Sequence, residues 1–275
     1  MRYEQFAPVA GLAPFIECVW TLEGHVDALG SEPQVVLPDG RTELIIHFGD
    51  PFDRIDAWNG STTVTRQPAI LFAGQLTRQL VLQPTGRIGV LGLRFHPFGA
   101  AALIPPAQDA LAGTTPGVDD LSPQLARALE AVRASCGNPT DAALPAQQAV
   151  LPFVDEARID PRVRDVCEAI EESAGLVSID GLATGTGVTR RHLERRFLEL
   201  VGMTPKRLAR IARFQRAVRH LESLEDGARP GGAVTAAACG YSDQAHFIRD
   251  FKDLAGCPPG EHLVTKGMLT GFFTR

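Results

Sequence analysis

The sequence predicts an α+β, multidomain protein. A β-rich, barrel- or sandwich-like domain with a few helices is expected over 1–158, and an all-α domain over 159–275. Three observations carry this expectation. Short apolar segments alternate with Gly, Pro, Asp and Asn clusters through the first hundred residues, the rhythm of an antiparallel sheet protein. Beyond Pro161 the apolar residues switch to a 3–4 spacing, which is helical. The residue skeleton of 183–205 then returns at 236–259. A length of 275 residues suits two domains of ordinary size.

Taken in order, Ile16–Leu22, Glu43–Phe48, Ala69–Phe72, Leu80–Leu82 and Ile88–Phe95 read as strands. Pro38-Asp39-Gly40 supplies a turn, because Pro fixes φ and Gly tolerates a positive one. From Pro97 the composition becomes Ala-rich, and Phe98–Ile104, Ser122–Ala134 and about Pro145–Ala157 read as helices. Cys136-Gly137-Asn138-Pro139 breaks the second from the third. Past Pro161, Val163, Val166 and Ile170 share a helix face, and Gly175 fits the left-handed position that ends it. Ser178 and Thr189 are placed to cap two short helices, the second with Leu193, Phe197 and Leu200 on one stripe. Thr204-Pro205 gives a cap followed by Pro at the first helical position, where its missing N–H costs nothing. The helix that starts there keeps Leu208, Ile211, Val218 and Leu221 on one side. Gly227 to Gly232 reads as a flexible break before a second helix pair.

Composition narrows the class. Hydrophobic residues make up 44% and charged residues 21%, so neither a disordered chain nor a membrane protein is expected. No apolar run approaches the ~18 residues of a spanning helix, and no signal peptide is read at the N-terminus. Cys18, Cys136, Cys167, Cys239 and Cys257 are odd in number and scattered, without Cys-x-x-Cys or Cys/His spacing. Neither a disulfide framework nor a zinc site is expected from them, and a reducing, cytoplasmic setting fits.

The net charge of −5 conceals an asymmetry. Residues 1–159 hold 10 Lys and Arg against 17 Asp and Glu, a charge of −7, whereas 160–275 hold 17 against 15, a charge of +2. The stretch 186–219 concentrates Arg190, Arg191, Arg195, Arg196, Lys206, Arg207, Arg210, Arg213, Arg216 and Arg219 against Glu194 and Glu199, or +8. A basic block in an acidic chain is an electrostatic footprint for a polyanion, although a solvated helix face has the same composition.

The repeat decides between them. Ala183-x-x-x-Gly187 matches Ala236-x-x-x-Gly240. With one further residue in the second turn, His192 aligns with His246, Leu193 with Phe247, Phe197 with Phe251, Gly202 with Gly256 and Pro205 with Pro259. Each copy has helix-turn-helix logic: a small Ala where the helices cross, a Gly in the turn, a cap (Thr189; Ser242 or Asp243), then two large apolar residues one turn apart. The motifs span about 178–202 and 233–256. A connecting helix from Thr204 to about Glu222 is ~28 Å long, enough to hold two such helices about one duplex turn apart, ~34 Å.

These residues resemble the DNA-binding domain of AraC/XylS-type bacterial transcription regulators. The matching string runs Leu182-Ala183, Gly187-Val188-Thr189, Leu193, Arg195, Phe197, Gly202 and Thr204-Pro205, then Ala236, Gly240-Tyr241-Ser242-Asp243, His246-Phe247, Arg249, Phe251-Lys252 and Gly256-Cys257-Pro258-Pro259. Residues 1–158 are similar, more weakly, to the sensor half of such regulators, through Pro38-Asp39-Gly40 and Gly92-Leu93-Arg94-Phe95. The resemblance implies a sequence-specific regulator of transcription, an activator, with double-stranded DNA as partner. It further implies a small-molecule effector or dimer contact for the N-terminal half, and RNA polymerase as a further partner.

In a helix-turn-helix the exposed N-terminal face of the second helix meets base edges, while caps and flanking cations meet phosphate. Base contacts are therefore expected from Arg191 and Arg195, four apart on one face, and from Gln244 and Arg249 in the second copy. Phosphate contacts are expected from Thr189, Arg190, Arg196, Lys206, Ser242, His246 and Lys252. The second helix carries Asp243, Asp250 and Asp253 beside its cations, so the first motif is expected to supply most affinity and the second mainly selectivity. No cofactor is expected.

Two rival readings remain at this stage. A metal-dependent enzyme in the β domain could draw on Glu43, His47, Asp50 and His96, but no His-x-His pair exists and structural histidines are the simpler account. No Gly-x-Ser-x-Gly elbow or phosphate loop is present. A helical module binding a protein partner is the other, and salt dependence separates it from DNA binding.

Overall fold

The computed structural model describes residues 1–29, 32–58, 61–105, 107–223 and 232–262. Residues 227–231 of the expected Gly227–Gly232 break lie outside the described residues, as does everything after residue 262.

Among the described residues, the N-terminal half is built from nine strands in two open antiparallel sheets. The first has the order β1 (Arg2–Phe6), β2 (Ile16–His25), β9 (Arg87–Phe95), β4 (Glu43–His47), β7 (Ile70–Ala73). The second has the order β3 (Gln34–Val36), β8 (Leu80–Gln83), β5 (Asp53–Trp58), β6 (Ser61–Arg66). The sandwich form of the expectation holds; the sheets do not close into a barrel. A four-residue turn of helix, α1 (Val26–Leu29), follows β2.

Inside its edge strand β1, the first sheet is buried on both faces, and the period of two assigns each residue to one of them. Leu44 and Ile46 of β4, with Leu91, Leu93 and Phe95 of β9, pack against helices. Those helices are α3 (Pro123–Ser135) and α4 (Pro139–Val150), preceded by the short α2 (Val118–Leu121). Ile45 of β4, Val90 of β9 and Trp20 and Leu22 of β2 point the other way, toward Leu80 and Leu82 of β8.

The expected strands are present, and four more join them. β6 carries only exposed side chains along Ser61-Thr62-Thr63-Val64-Thr65-Arg66, so no apolar alternation marks it; its threonines favour an extended chain at a sheet edge. The helix expected from Pro145 begins six residues earlier. Asn138, read as a breaker, accepts a hydrogen bond from the Asp141 amide and caps α4, with Pro139 at its first position and Pro145 inside. Phe98–Ile104 forms a 3-10 turn at Gly99–Ala102 rather than a longer helix, followed by a second at Gln108–Leu111.

Seven helices complete the described chain: α5 (Pro161–Glu172), α6 (Ile179–Gly185), α7 (Arg190–Val201), α8 (Pro205–Glu222), α9 (Gly232–Ala238), α10 (Gln244–Ala255) and α11 (Pro259–His262). Their common core is arranged around α8, which buries Leu208, Ile211, Phe214, Ala217, Val218 and Leu221. That core runs into the N-terminal half, taking in Leu37, Phe98 and Ala101. The Gln215 amide donates to the carbonyl of Pro38 at 2.6 Å, and the backbone N–H of Gln79 donates to the Leu254 carbonyl at 2.8 Å.

Candidate nucleic-acid interface

Both helix pairs have the anatomy that the repeat implies. Thr189 accepts from the His192 N–H at 3.3 Å and starts α7; Asp243, not Ser242, accepts from the His246 N–H at 2.7 Å and starts α10. Ala183 and Ala236 are buried where the helices of each pair cross. The turns between them need a left-handed residue, which Gly187 (φ 69°) and Gly240 (φ 77°) supply without the strain of a side chain. Leu193 and Phe197 of α7, and Phe247 and Phe251 of α10, are fully buried. Phe251 packs edge-on against Phe214 of α8 with ring centres 5.1 Å apart, which ties the second pair to the rod. With 18 residues, α8 is about 27 Å long.

Burying Leu193 and Phe197 places Arg191 and Arg195 on the opposite, exposed side of α7, where neither takes part in an ion pair among the described residues. Gln244 and Arg249 are likewise exposed on α10, and Gln244 lies against Gly232 at the start of α9.

The residues expected at phosphate divide into two groups. Lys206, at the start of α8, and Lys252, in the last turn of α10, are exposed and take part in no ion pair among the described residues. The others are already engaged. Arg190 bridges Asp180 at 2.8 Å and Glu194 at 3.0 Å. Arg196 reaches Glu199 at 2.6 Å and Asp160 at 3.5 Å. Thr189 is the α7 cap. Ser242 lies 3.1 Å from both the Asp243 carboxylate and Nδ1 of His246, whose Nε2 is 3.6 Å from Asp250.

The basic block is therefore two populations. Arg207 donates to the Thr77 carbonyl at 3.1 Å, and Arg213 stacks 5.5 Å from the Tyr241 ring. Arg210 holds Asp250 at 3.0 Å and Asp253 at 2.6 Å. These three arginines fasten α8 to its neighbours. Two of the three acids counted against the second motif are consequently matched by Arg210 rather than turned on Arg249. The third stays: the His246 N–H holds the Asp243 carboxyl below its usual range, helped by Ser242. A full negative charge thus stands at the start of α10, where α7 has a neutral threonine.

One neighbour of the first motif comes from far away in the chain. Ala107 and Asp109 of the N-terminal half border the same surface depression as Arg191, His192 and Arg195. The C-terminal end of α7 is seated there too: a Cβ on Gly202 would lie 2.8 Å from the Gln108 carbonyl oxygen. Only long-range packing creates this adjacency, so no local signal could have disclosed it.

The four residues weighed for metal binding serve separate purposes. Glu43 pairs with Arg94, and Asp50 accepts from the Arg87 N–H at 2.7 Å. His96 stacks on Phe98, and His47 points between the sheets. No group of three or more His, Cys, Asp or Glu side chains suited to a metal ion occurs among the described residues.

Comparison with known proteins adds two matched regions. Residues 182–263 match a helix-turn-helix domain, and residues 4–115 match a domain of unknown function (DUF6597). Among solved structures, the chain is 34% identical to a probable AraC family transcriptional regulator from Rhodopseudomonas palustris, covering 38% of this chain and 96% of that one, with a TM-score of 0.33. It is 25% identical to an AraC-type transcriptional regulator from Chromobacterium violaceum over 39% of this chain and 94% of that one, with a TM-score of 0.35. ToxT from Vibrio cholerae aligns over 90% of this chain and 97% of its own length at 12% identity, with a TM-score of 0.43. No curated protein matches the chain.

Proposed function

The chain belongs to the AraC family of transcription regulators, and from that premise we propose that it reads a specific duplex with both helix-turn-helix motifs and that its N-terminal half modulates this binding. The observation that carries the reading is the pair of capped helices held by one rod, the first with Arg191 and Arg195 exposed opposite a buried Leu193–Phe197 stripe. Arginine at such a position can make two parallel hydrogen bonds to guanine O6 and N7, worth roughly 1–3 kcal/mol of discrimination. In this reading Gln244 and Arg249 serve the second site, Gln244 being suited to adenine. Lys206 and Lys252 meet phosphate as they stand. Arg190, Arg196, Ser242 and His246 would do so by exchanging their present partners for phosphate oxygens, and Thr189 would do so alongside its capping bond. The proposal places the division of labour near residues 158 and 159 and assigns no catalytic step to either half.

The modulatory role rests on the Pro38-Asp39-Gly40-Arg41 turn, which has a face in each half. Toward the sheets, Asp39 pairs with Arg94 at 2.6 Å, and Arg94 pairs with Glu43 at 2.9 Å. Burial opposes the Arg94 charge, but Asp39 and Glu43 together hold its pKa above the ordinary value. Toward the helices, Gln215 of α8 holds the Pro38 carbonyl, Gly40 abuts Leu208, and Arg41 pairs with Glu171 of α5. A shift of this turn would reach the rod that spaces the two motifs. Effector binding would then change DNA affinity by linkage.

Selection of bound duplexes from a random pool tests the reading. The expected product is a consensus with two blocks about one helical turn apart, bound with a steep loss of affinity as salt rises. A pool that never enriches, or binding indifferent to ionic strength, overturns it. In this reading the chain works where chromosomal DNA is, in the cytoplasm, and contacts RNA polymerase as an activator. Self-association is a further part of it, tested by sedimentation with and without the selected duplex.

A further inference from the structure

The gap between the two sheets is not filled by side chains. Its cavity is about 80 Å³, room for a few waters or one compact small molecule. Its walls are apolar: Leu22, Ile45, Leu71, Leu80, Leu82 and Val90. Polar groups enter it in two places, and their states differ.

The first is the charged cluster of Asp39, Glu43, Arg41 and Arg94. Its charges answer one another. Arg94 is shared by Asp39 and Glu43, with Glu17 at 3.6 Å, while Arg41 pairs with Glu17 and Glu171. A charged ligand would have to separate an existing buried pair, which is costly because the partner left behind is a desolvated charge.

The second is His47, brought to this face by the alternation Glu43, Ile45, His47 along β4. The side chain is 1% exposed; the Gln67 side chain engages one ring nitrogen, and the other is left without a partner. Phe52 meets the ring edge-on with centres 5.4 Å apart, and the buried Gln67 side chain lies beside it. Burial lowers the imidazole pKa to about 4, so the ring is neutral near pH 7, with one nitrogen donating and the other accepting. An unsatisfied buried polar group is costly to keep, so a ligand that supplies its missing partner gains accordingly.

We propose that the gap between the sheets binds a compact, uncharged, largely apolar molecule that presents one hydroxyl group to the His47 ring. A hydroxyl both donates and accepts, so it satisfies whichever nitrogen faces it. The hydrocarbon body takes the place of water against the leucine-rich walls. Seated there, the ligand lies beside Asp39 and Arg94, the cavity side of the 38–41 turn. The proposal rests on the regulator reading for its consequence, not for the binding itself.

The test is calorimetric titration of the full chain, without DNA, using phenol, toluene, benzoate and benzylamine. Phenol is expected to bind about tenfold more tightly than toluene, the factor a satisfied buried hydrogen bond supplies, with benzoate and benzylamine weaker than both. His47→Phe removes the preference for phenol, and His47→Gln, which keeps a donor and an acceptor, retains part of it. Ala73→Phe fills the gap from β7 without touching His47 and abolishes binding of both neutral probes, so the test survives if a His47 variant fails to fold. Absence of phenol binding, tighter binding of a charged probe, or a phenol preference unchanged in His47→Phe overturns the proposal. A chain that enriches a duplex but ignores phenol refutes this inference alone. One that binds phenol but no duplex refutes the regulator reading alone.

Discussion

Arg191 and Arg195 differ from Arg190 and Arg196 only by their position around one helix, yet the structure gives them opposite circumstances. The first two have no ion partner among the described residues, and the second two are held by Asp180, Glu194, Asp160 and Glu199. Replacing Arg191 or Arg195 with Ala should weaken binding to the selected duplex by roughly 5- to 150-fold, from 1–3 kcal/mol per bidentate contact, and relax the preference at one base pair. Fluorescence anisotropy measures this. Arg249→Ala should cost less affinity, since the Asp243 charge beside it already opposes phosphate. His47 carries a separate, pH-dependent consequence. Its pKa falls from 6.5 to about 4 on folding, so between these values the unfolded chain holds the proton and the folded chain does not. The stability this provides is present above pH 6.5 and is lost as pH drops toward 4, by on the order of 3 kcal/mol. Thermal melts of His47→Gln should show a flatter decline over that interval than the parent chain.

Among the helices, the two recognition elements are short, and each relies on a single side-chain cap plus a pair of buried apolar residues. Twelve-residue helices are marginal in isolation, so their first turn depends on the capping bond. Thr189→Ala and Asp243→Ala should each lower stability by about 1 kcal/mol in denaturant titrations. Their effects on DNA binding should diverge. Thr189→Ala loosens the turn that presents Arg191 and so weakens binding. Asp243→Asn, which keeps a capping oxygen but removes the charge, should strengthen it and increase the salt dependence. Equal loss for both would contradict the electrostatic difference between the motifs. All four caps from Ser178 to Asp243 and both apolar stripes were legible in the sequence because each is a contact between residues no more than four apart. The start of α4 is not legible for the converse reason: Asn138-Pro139 is chemically both a breaker and a helix start, and only the packing of Ala142, Ala143 and Ala146 on the first sheet selects the latter.

Across the whole chain, the helical core continues into the N-terminal half, so the DNA-binding unit is not mechanically independent. Gly40→Ala should destabilise the chain, because φ is +79° there and the new Cβ would lie 2.8 Å from Leu208. It should also weaken any effect of a cavity ligand on duplex binding, since the 38–41 turn would be displaced from α8. The depression shared by Asp109, Arg191 and Arg195 makes a second prediction. Asp109→Ala removes a negative charge from the flank of the first recognition helix and should raise duplex affinity several-fold at low salt, with the gain fading as screening increases. An affinity that does not move would mean that Asp109 stays clear of the bound duplex.

The repeat, its caps, its buried stripes and the rod between the copies are periodic, near-neighbour features, and the order of residues along the chain was sufficient to specify them. The use made of each charge was not so specified. Arg210 meets Asp250 and Asp253 from 40 and 43 residues away, Arg207 meets the Thr77 carbonyl from 130, and Asp109 comes beside Arg195 only when the halves dock. The same holds for the space between the sheets, whose lining comes from six of the nine described strands and the loops between them. Local propensity acts over a few residues, whereas a cavity or an ion pair depends on where distant segments are brought to rest.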